Sequence, residues 1–345
     1  MDYKNILTEL AGKTAVSGRE STISEYLRER FIKHCDSVEA DKFYNIIGIK
    51  NGNGKERKKI LITAHVDEIG LMVKSIDEKG FIKFTNIGGV DSRILLAQEV
   101  IIHGKEDIIG IIGAKPPHLL SPEDAKKAVK IEELSIDTGM PEEKLKKIVS
   151  IGDMITFKEC SLELNKNKLS SKSMDNRCGV AALLGVMGEL SKINISHDLY
   201  FVCTTQEEVR LAGATIVTYN IKPDIAIVID ACHGDMPDAS KDETYKLGKG
   251  PAIGVGPNLH KAYTRTAIDI AKDENIPFQI DVEPGNTGTE AWAIQVSRAG
   301  VPVVLFSIPV RYMHTPVETV HLDDIKRTAK LTARFVLNME ASFKH

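Results

Sequence analysis

The chain of 345 residues carries 45 basic and 48 acidic side chains, a formal charge of −3, so no bulk positive field exists to hold nucleic acid or anionic lipid. Apolar residues make up 42% and charged residues 27%, which suffices to bury a core and argues against disorder as the main state. Apolar runs such as residues 301–306 fall far short of the roughly 18–20 residues of a membrane span. The charged start Met1-Asp2-Tyr3-Lys4-Asn5 lacks the apolar stretch of a signal peptide, and a cytoplasmic globular protein is expected. Five scattered cysteines with no CxxC pair speak against a disulfide framework and a Cys-type zinc site.

In chain order, Ser17-Gly18 reads as a turn before an amphipathic helix with Ile23, Tyr26, Leu27 and Phe31 at helical spacing. Residues 60–64 form an apolar run of the buried-parallel-strand type, ending in His65-Val66-Asp67-Glu68. The texture then changes. Short β runs flank Asp77-Glu78-Lys79-Gly80, a hairpin signal, and more follow at 99–103 and 108–112. A Lys/Glu-rich stretch over 121–147 predicts one or two short surface helices. From about Lys166 strand–helix alternation returns: a helix over 178–190, a strand over 199–204 running to Gln206-Glu207-Glu208, and a strand over 225–229 ending at Asp230. A helix over 263–275, a strand over 301–306 and a last helix from about Asp323 towards Phe343 complete the chain. The pattern predicts an α/β fold, a mixed sheet sandwiched by helices, interrupted by a β-rich insertion. The expected division is 1–69 plus 160–345 for the main domain and 70–159 for the insert.

Acids and histidines fall where open α/β sheets place ligand sites, at strand ends. His65, Asp67, Glu207, Glu208 and Asp230 end strands, Asp175 precedes a helix, and His314 follows the last strand. Any one of them has a bland explanation as a cap or surface charge. Five carboxylates and two histidines at such positions instead suit two divalent ions with a bridging Asp, a shared water, and a non-ligand Glu to move its proton. Asp67, two residues after His65, is placed to orient the imidazole, and the adjacent Glu207 and Glu208 to face opposite sides of their strand.

Several motifs carry a family likeness, in order along the chain: Val16-Ser17-Gly18-Arg19-Glu20, Ala64-His65-Val66-Asp67-Glu68, Lys115-Pro116-Pro117-His118, Met174-Asp175-Asn176-Arg177, Gln206-Glu207-Glu208-Val209, Gly256-Pro257-Asn258, Gly288-Thr289-Glu290-Ala291 and Arg311-Tyr312-Met313-His314-Thr315-Pro316. With these the chain resembles the tetrahedral aminopeptidases, metallopeptidase family forty-two, some of whose members are labelled cellulase or endoglucanase. The resemblance implies one ion on His65, Asp175 and Asp230 and a second on Asp175, Glu208 and His314, zinc or cobalt first and manganese as an alternative. It implies Glu207 as general base and acid, Asp67 behind His65, and residues 70–159 as a dimerisation domain, with dimers assembled into a dodecamer. The substrate implied is a peptide cut at its N-terminal residue; the alternatives are an N-acyl amino acid deacylase on the same core, a glycoside hydrolase, and a scaffold without activity. Arg210 departs from the family, which has Gly there, and is expected to point to solvent. Cys232 and His233 are read as structural or lining residues, Trp292 as packing near the pocket, and the Gly285–Gly288 loop as allowing backbone approach to a substrate terminus.

Overall fold

The computed structural model describes residues 1–121, 123, 127 and 129–342. An eight-stranded mixed sheet lies at its centre. In spatial order its strands are Ser37–Ala40, Ile46–Lys50, Asp198–Thr204, Lys59–His65, Ile225–His233, Val303–Val310, Ala252–Val255 and Gln279–Val282. The middle four run parallel, from Asp198–Thr204 to Val303–Val310. Their apolar residues alternate between two cores. Along Lys59–His65, Ile60, Ile62 and Ala64 join one cluster, while Leu61 joins the other. Both faces of these strands are therefore covered, and His65 and Asp230 stand toward the C-terminal ends of theirs.

Helices Tyr3–Ala11, Met174–Leu190 and Leu322–Ser342 pack on one another over the first face, with Phe306 and Phe335 meeting edge to face at 6.1 Å. Ala212–Ile221 and Glu290–Ile294 cover the opposite face. Each fully buried Phe or Leu here contributes roughly 1.5–3 kcal/mol relative to exposure. The strand expected to end at Asp230 runs on to His233, because its pairing with Val303–Val310 continues to His233 opposite Val310. The helix expected from Cys178 starts at Met174, with non-helical backbone at Asp175 and Asn176. The last helix reaches Ser342; Phe343 lies outside the described residues.

Six strands close a barrel in the order Gly70–Ile76, Ile82–Ile87, Ser135–Asp137, Asp107–Gly113, Glu99–His103 and Met154–Phe157. The hairpin turn forms as the sequence predicts: the Asp77 carboxylate accepts the N–H groups of Lys79 and Phe81. Gly80 adopts φ +87 there, and a Cβ would stand 2.2 Å from the Met140 carbonyl oxygen. Leu71, Val73, Phe84, Val100, Ile102 and Ile155 fill the barrel separately from the main cores. On the outside of Asp107–Gly113, Ile109 and Ile111 are 57% and 54% exposed. The acidic and basic stretch over 121–147 is described in part, with a helix at Glu142–Ile148. No helix among the described residues is long and apolar enough to cross a membrane.

Candidate active site

The C-terminal ends of the parallel strands deliver the chemistry. His65 ends Lys59–His65, Asp230 lies in Ile225–His233, and His314 follows Val303–Val310. The Asp175 carboxylate sits between the two histidines. His65 Nε2 is 3.2 Å from Asp175 Oδ1 and 3.5 Å from Asp230 Oδ1; His314 Nε2 is 3.4 Å from Asp175 Oδ2 and 3.3 Å from Glu208 Oε2. Two trios thus gather, His65–Asp175–Asp230 and Asp175–Glu208–His314, each with ligand-type atoms within 4.8 Å of one another. Glu207 Oε2 stands 3.9 Å from His65 Nε2, outside both trios. All seven residues singled out from the sequence lie in this one region: six in and beside the trios, and Asp67 directly behind.

The electrostatics are those of a site crowded with acid. Burial pushes Glu207 up to about 10, with Asp230, Glu208 and Asp175 adding to the rise against the His65 imidazole. Burial, then Asp175, raises Glu208 well above the usual carboxylate range. Asp175 behaves oppositely: burial would raise it, but hydrogen bonds with His314 and His65 hold it low. One Asp230 oxygen, Oδ2, is buried with no hydrogen-bond partner. Carboxylates this close, with an unpartnered oxygen and two imidazoles, fit divalent cations bound by nitrogen and oxygen.

Three features differ from the sequence reading. Glu207 and Glu208 do not end a strand; they open the short helix Glu207–Arg210, after Gln206 turns the chain with φ 54. Their separation comes from helical geometry and not from strand alternation. Asp67 does more than face His65, whose Nδ1 is 3.6 Å away: its two oxygens accept the N–H groups of Glu207 at 3.0 Å and Glu208 at 3.1 Å, and Ser17 Oγ donates to it as well. Trp292 is 40% exposed and does not line the cavity, because its helix turns Ala291 and Ile294 to the core instead.

Other functional positions went unread in the sequence. Glu318, 2% exposed, accepts the N–H of Asp175 at 2.9 Å and of His314 at 2.7 Å, so one carboxylate sets the backbone under one member of each trio. Its position four residues after His314 in Thr315-Pro316-Val317-Glu318 was the available signal. Glu290 is fully buried beside Thr63, Thr204 and His65, and burial pushes its carboxyl up to about 7. The barrel also reaches the site: the Gly89 carbonyl oxygen is 3.1 Å from His314 Nδ1.

The trios open into a cavity of about 750 Å³. Arg210, Cys232 and His233 line it, and Arg210 and His233 are at the same time solvent-exposed. Gly288, with φ +63, also faces the cavity.

The family described as M42 glutamyl aminopeptidase matches residues 45–331. A lysyl aminopeptidase of Pyrococcus furiosus is 32% identical over 301 residues, covering 86% of each chain. The solved structure of aminopeptidase APDkam598 from the archaeon Desulfurococcus kamchatkensis superposes with a TM-score of 0.90 at 35% identity, over 97% of this chain and 94% of that one. The Pyrococcus horikoshii TET1 peptidase, described as assembling into a tetrahedron or a large octahedral shell, superposes with a TM-score of 0.85 at 31% identity, over 97% and 99%. The strand-end acids and histidines thus sit in a chain that belongs to the M42 aminopeptidase family and is a peptidase hydrolase.

Proposed function

We propose that the chain is an aminopeptidase that uses two divalent ions to remove N-terminal residues from peptides. The observation that carries this reading is the pair of trios sharing Asp175, with Glu207 beside them in one open cavity. His65, Asp175 and Asp230 would hold one ion, and Asp175, Glu208 and His314 the other. Such ions supply Lewis acidity, polarising a peptide carbonyl and making a water molecule acidic near neutral pH. Zinc and cobalt suit the donor set best, with manganese as an alternative.

The chain's own residues move the proton. Glu207 as carboxylate takes a proton from the water that attacks the scissile carbonyl carbon. As the C–N bond breaks, the same proton passes to the leaving amine nitrogen, returning Glu207 to its starting state. Its place suits this role, since it stands beside the trios without belonging to either and so keeps its oxygens for the proton. Asp67 and Glu318 fix the backbone from which the reacting groups project, which limits the motion of those groups during the reaction.

The reading extends to assembly. Residues 70–159 are proposed as a dimerisation domain, with dimers building a tetrahedral dodecamer. The exposed Ile109 and Ile111 on the outer face of barrel strand Asp107–Gly113 support this.

The test is removal of metal with chelator followed by add-back of zinc, cobalt or manganese, with turnover measured on free and N-acetylated peptides. Metal-restored cleavage of free peptides alone is expected. Cleavage of acylated substrates alone would replace the reading with a deacylase on the same core, and absence of turnover with every metal would replace it with an inactive scaffold.

A further inference from the structure

Between the end of strand Asp198–Thr204 and the short helix Glu207–Arg210, four consecutive backbone N–H groups are each taken by a side-chain oxygen from elsewhere in the chain. Thr205 N–H donates to Asn45 Oδ1 at 2.9 Å, and Gln206 N–H to Glu20 Oε1 at 2.9 Å. Glu207 N–H and Glu208 N–H donate to the two oxygens of Asp67. Regular secondary structure satisfies none of these four, so the path of the chain here is set by three side chains on three separate segments. The path is also a costly one: Gln206 has φ 54 and ψ 34, a left-handed conformation that crowds a residue with a Cβ. Some contact must hold it there.

Glu20 is the residue placed to do so. It is 1% exposed and reaches Gln206 from the turn before helix Ser21–Phe31, 186 residues away in sequence. Its other oxygen, Oε2, is buried without a hydrogen-bond partner; the backbone at Gly18 and at Glu20 itself also supports the carboxylate, and the bond to Gln206 is the one that ties it to the Glu207 segment. Glu20 does not line the cavity.

We infer that Glu20 is a positioning residue for the reaction: by holding Gln206 in its left-handed turn, it aims the Glu207 carboxylate. The inference rests on the reading of Glu207 as the proton carrier. Asp67 holds the N–H groups of both Glu207 and Glu208, but Glu207 directly follows Gln206 while Glu208 lies one residue further into the helix, so loss of the Glu20 contact acts first on the aim of Glu207 and leaves the trios able to bind metal. A displacement of about 1 Å in a reacting group can cost about a hundredfold in rate.

The test compares Glu20→Met, close in size but without the acceptor, with Glu20→Gln, whose amide oxygen can accept the same N–H. Each purified, metal-loaded variant is assayed for kcat, KM, metal content and thermal midpoint. Glu20→Met is expected to lose at least tenfold in kcat, with KM within twofold and metal content unchanged, and Glu20→Gln to recover most of the loss. Glu20→Ala makes the same comparison if the Met variant does not fold. Unchanged kcat in the acceptor-less variant, a loss that tracks metal content, or a Gln variant as poor as the Met variant would each overturn the inference. Glu207→Gln runs alongside as the control. If it stays active, the proton-carrier reading falls first; if it is inactive while Glu20→Met is fully active, only the positioning role falls.

Discussion

Asp175 offers one carboxylate oxygen to each of two histidines, and its own N–H is held by Glu318. Replacing it with Asn keeps the shape and removes the charge common to both trios. Asp175→Asn is therefore expected to lose most bound metal by elemental analysis of the purified protein, together with turnover. Glu207→Gln, outside the trios, is expected to keep its metal and lose about 10²- to 10⁴-fold in kcat. Equal metal loss in the two variants would show that Glu207 belongs among the ligands. At this scale the sequence was informative because its acids and histidines interrupt or end apolar runs that must be buried, and a charge at such a place needs a partner. Glu318 and Glu20 gave no such signal. They act on backbone N–H groups, and any acceptor at the right point in space would serve, so the spacing of Glu318 from His314 and the motif that ends at Glu20 do not by themselves reveal the role.

At the scale of elements, the loop that launches helix Met174–Leu190 is pinned to the segment after strand Lys59–His65 by a buried charge group. Glu68 accepts the Ala15 N–H at 2.8 Å, pairs with Lys172 Nζ at 2.5 Å, accepts from Ser173 Oγ, and lies 3.7 Å from Arg177 Nη2. Burial alone would raise Glu68, yet Lys172 and Arg177 hold it below the usual carboxylate range. Glu68→Gln leaves those two cations buried without their counter-charge and is expected to cost about 3–5 kcal/mol in urea unfolding at neutral pH. A depressed carboxylate stabilises the fold above its unfolded value, about 4.3, and that contribution fades as pH falls through the lower folded value. The gap between wild type and variant should accordingly narrow in acid; a gap independent of pH would assign the loss to packing. Elements themselves were legible where periodicity was strong, as in the hairpin around Asp77–Gly80. The short helix at Glu207 was not, because its start is dictated by Asp67, Glu20 and Asn45, all distant in sequence.

For the whole molecule, the proposed assembly predicts that the outer face of barrel strand Asp107–Gly113 is covered in solution. Ile109→Lys with Ile111→Lys places two charges on that strand without touching the barrel core, since both side chains face outward. Light scattering after size exclusion is expected to show a drop from a large oligomer to smaller species, with the thermal midpoint largely kept. An unchanged mass would move the contact to another surface. The change of texture near residue 70 announced a separate β-rich unit from sequence alone, whereas closure into a barrel depends on pairings between strands far apart, such as Gly70–Ile76 with Met154–Phe157.

The Gly89 carbonyl oxygen lies between the first and later strands of the barrel insertion, yet it meets the Nδ1 of His314 in the other part of the chain. A ring nitrogen facing a carbonyl must carry the hydrogen, which would free Nε2 to offer its lone pair to an ion held with Asp175 and Glu208, as proposed above. The inserted unit thus selects the tautomer of an imidazole in the candidate site. An engineer who excised residues 70–159, proposed above as the dimerisation domain, would also remove the acceptor that fixes the His314 tautomer, and the trimmed enzyme would need a replacement at that point.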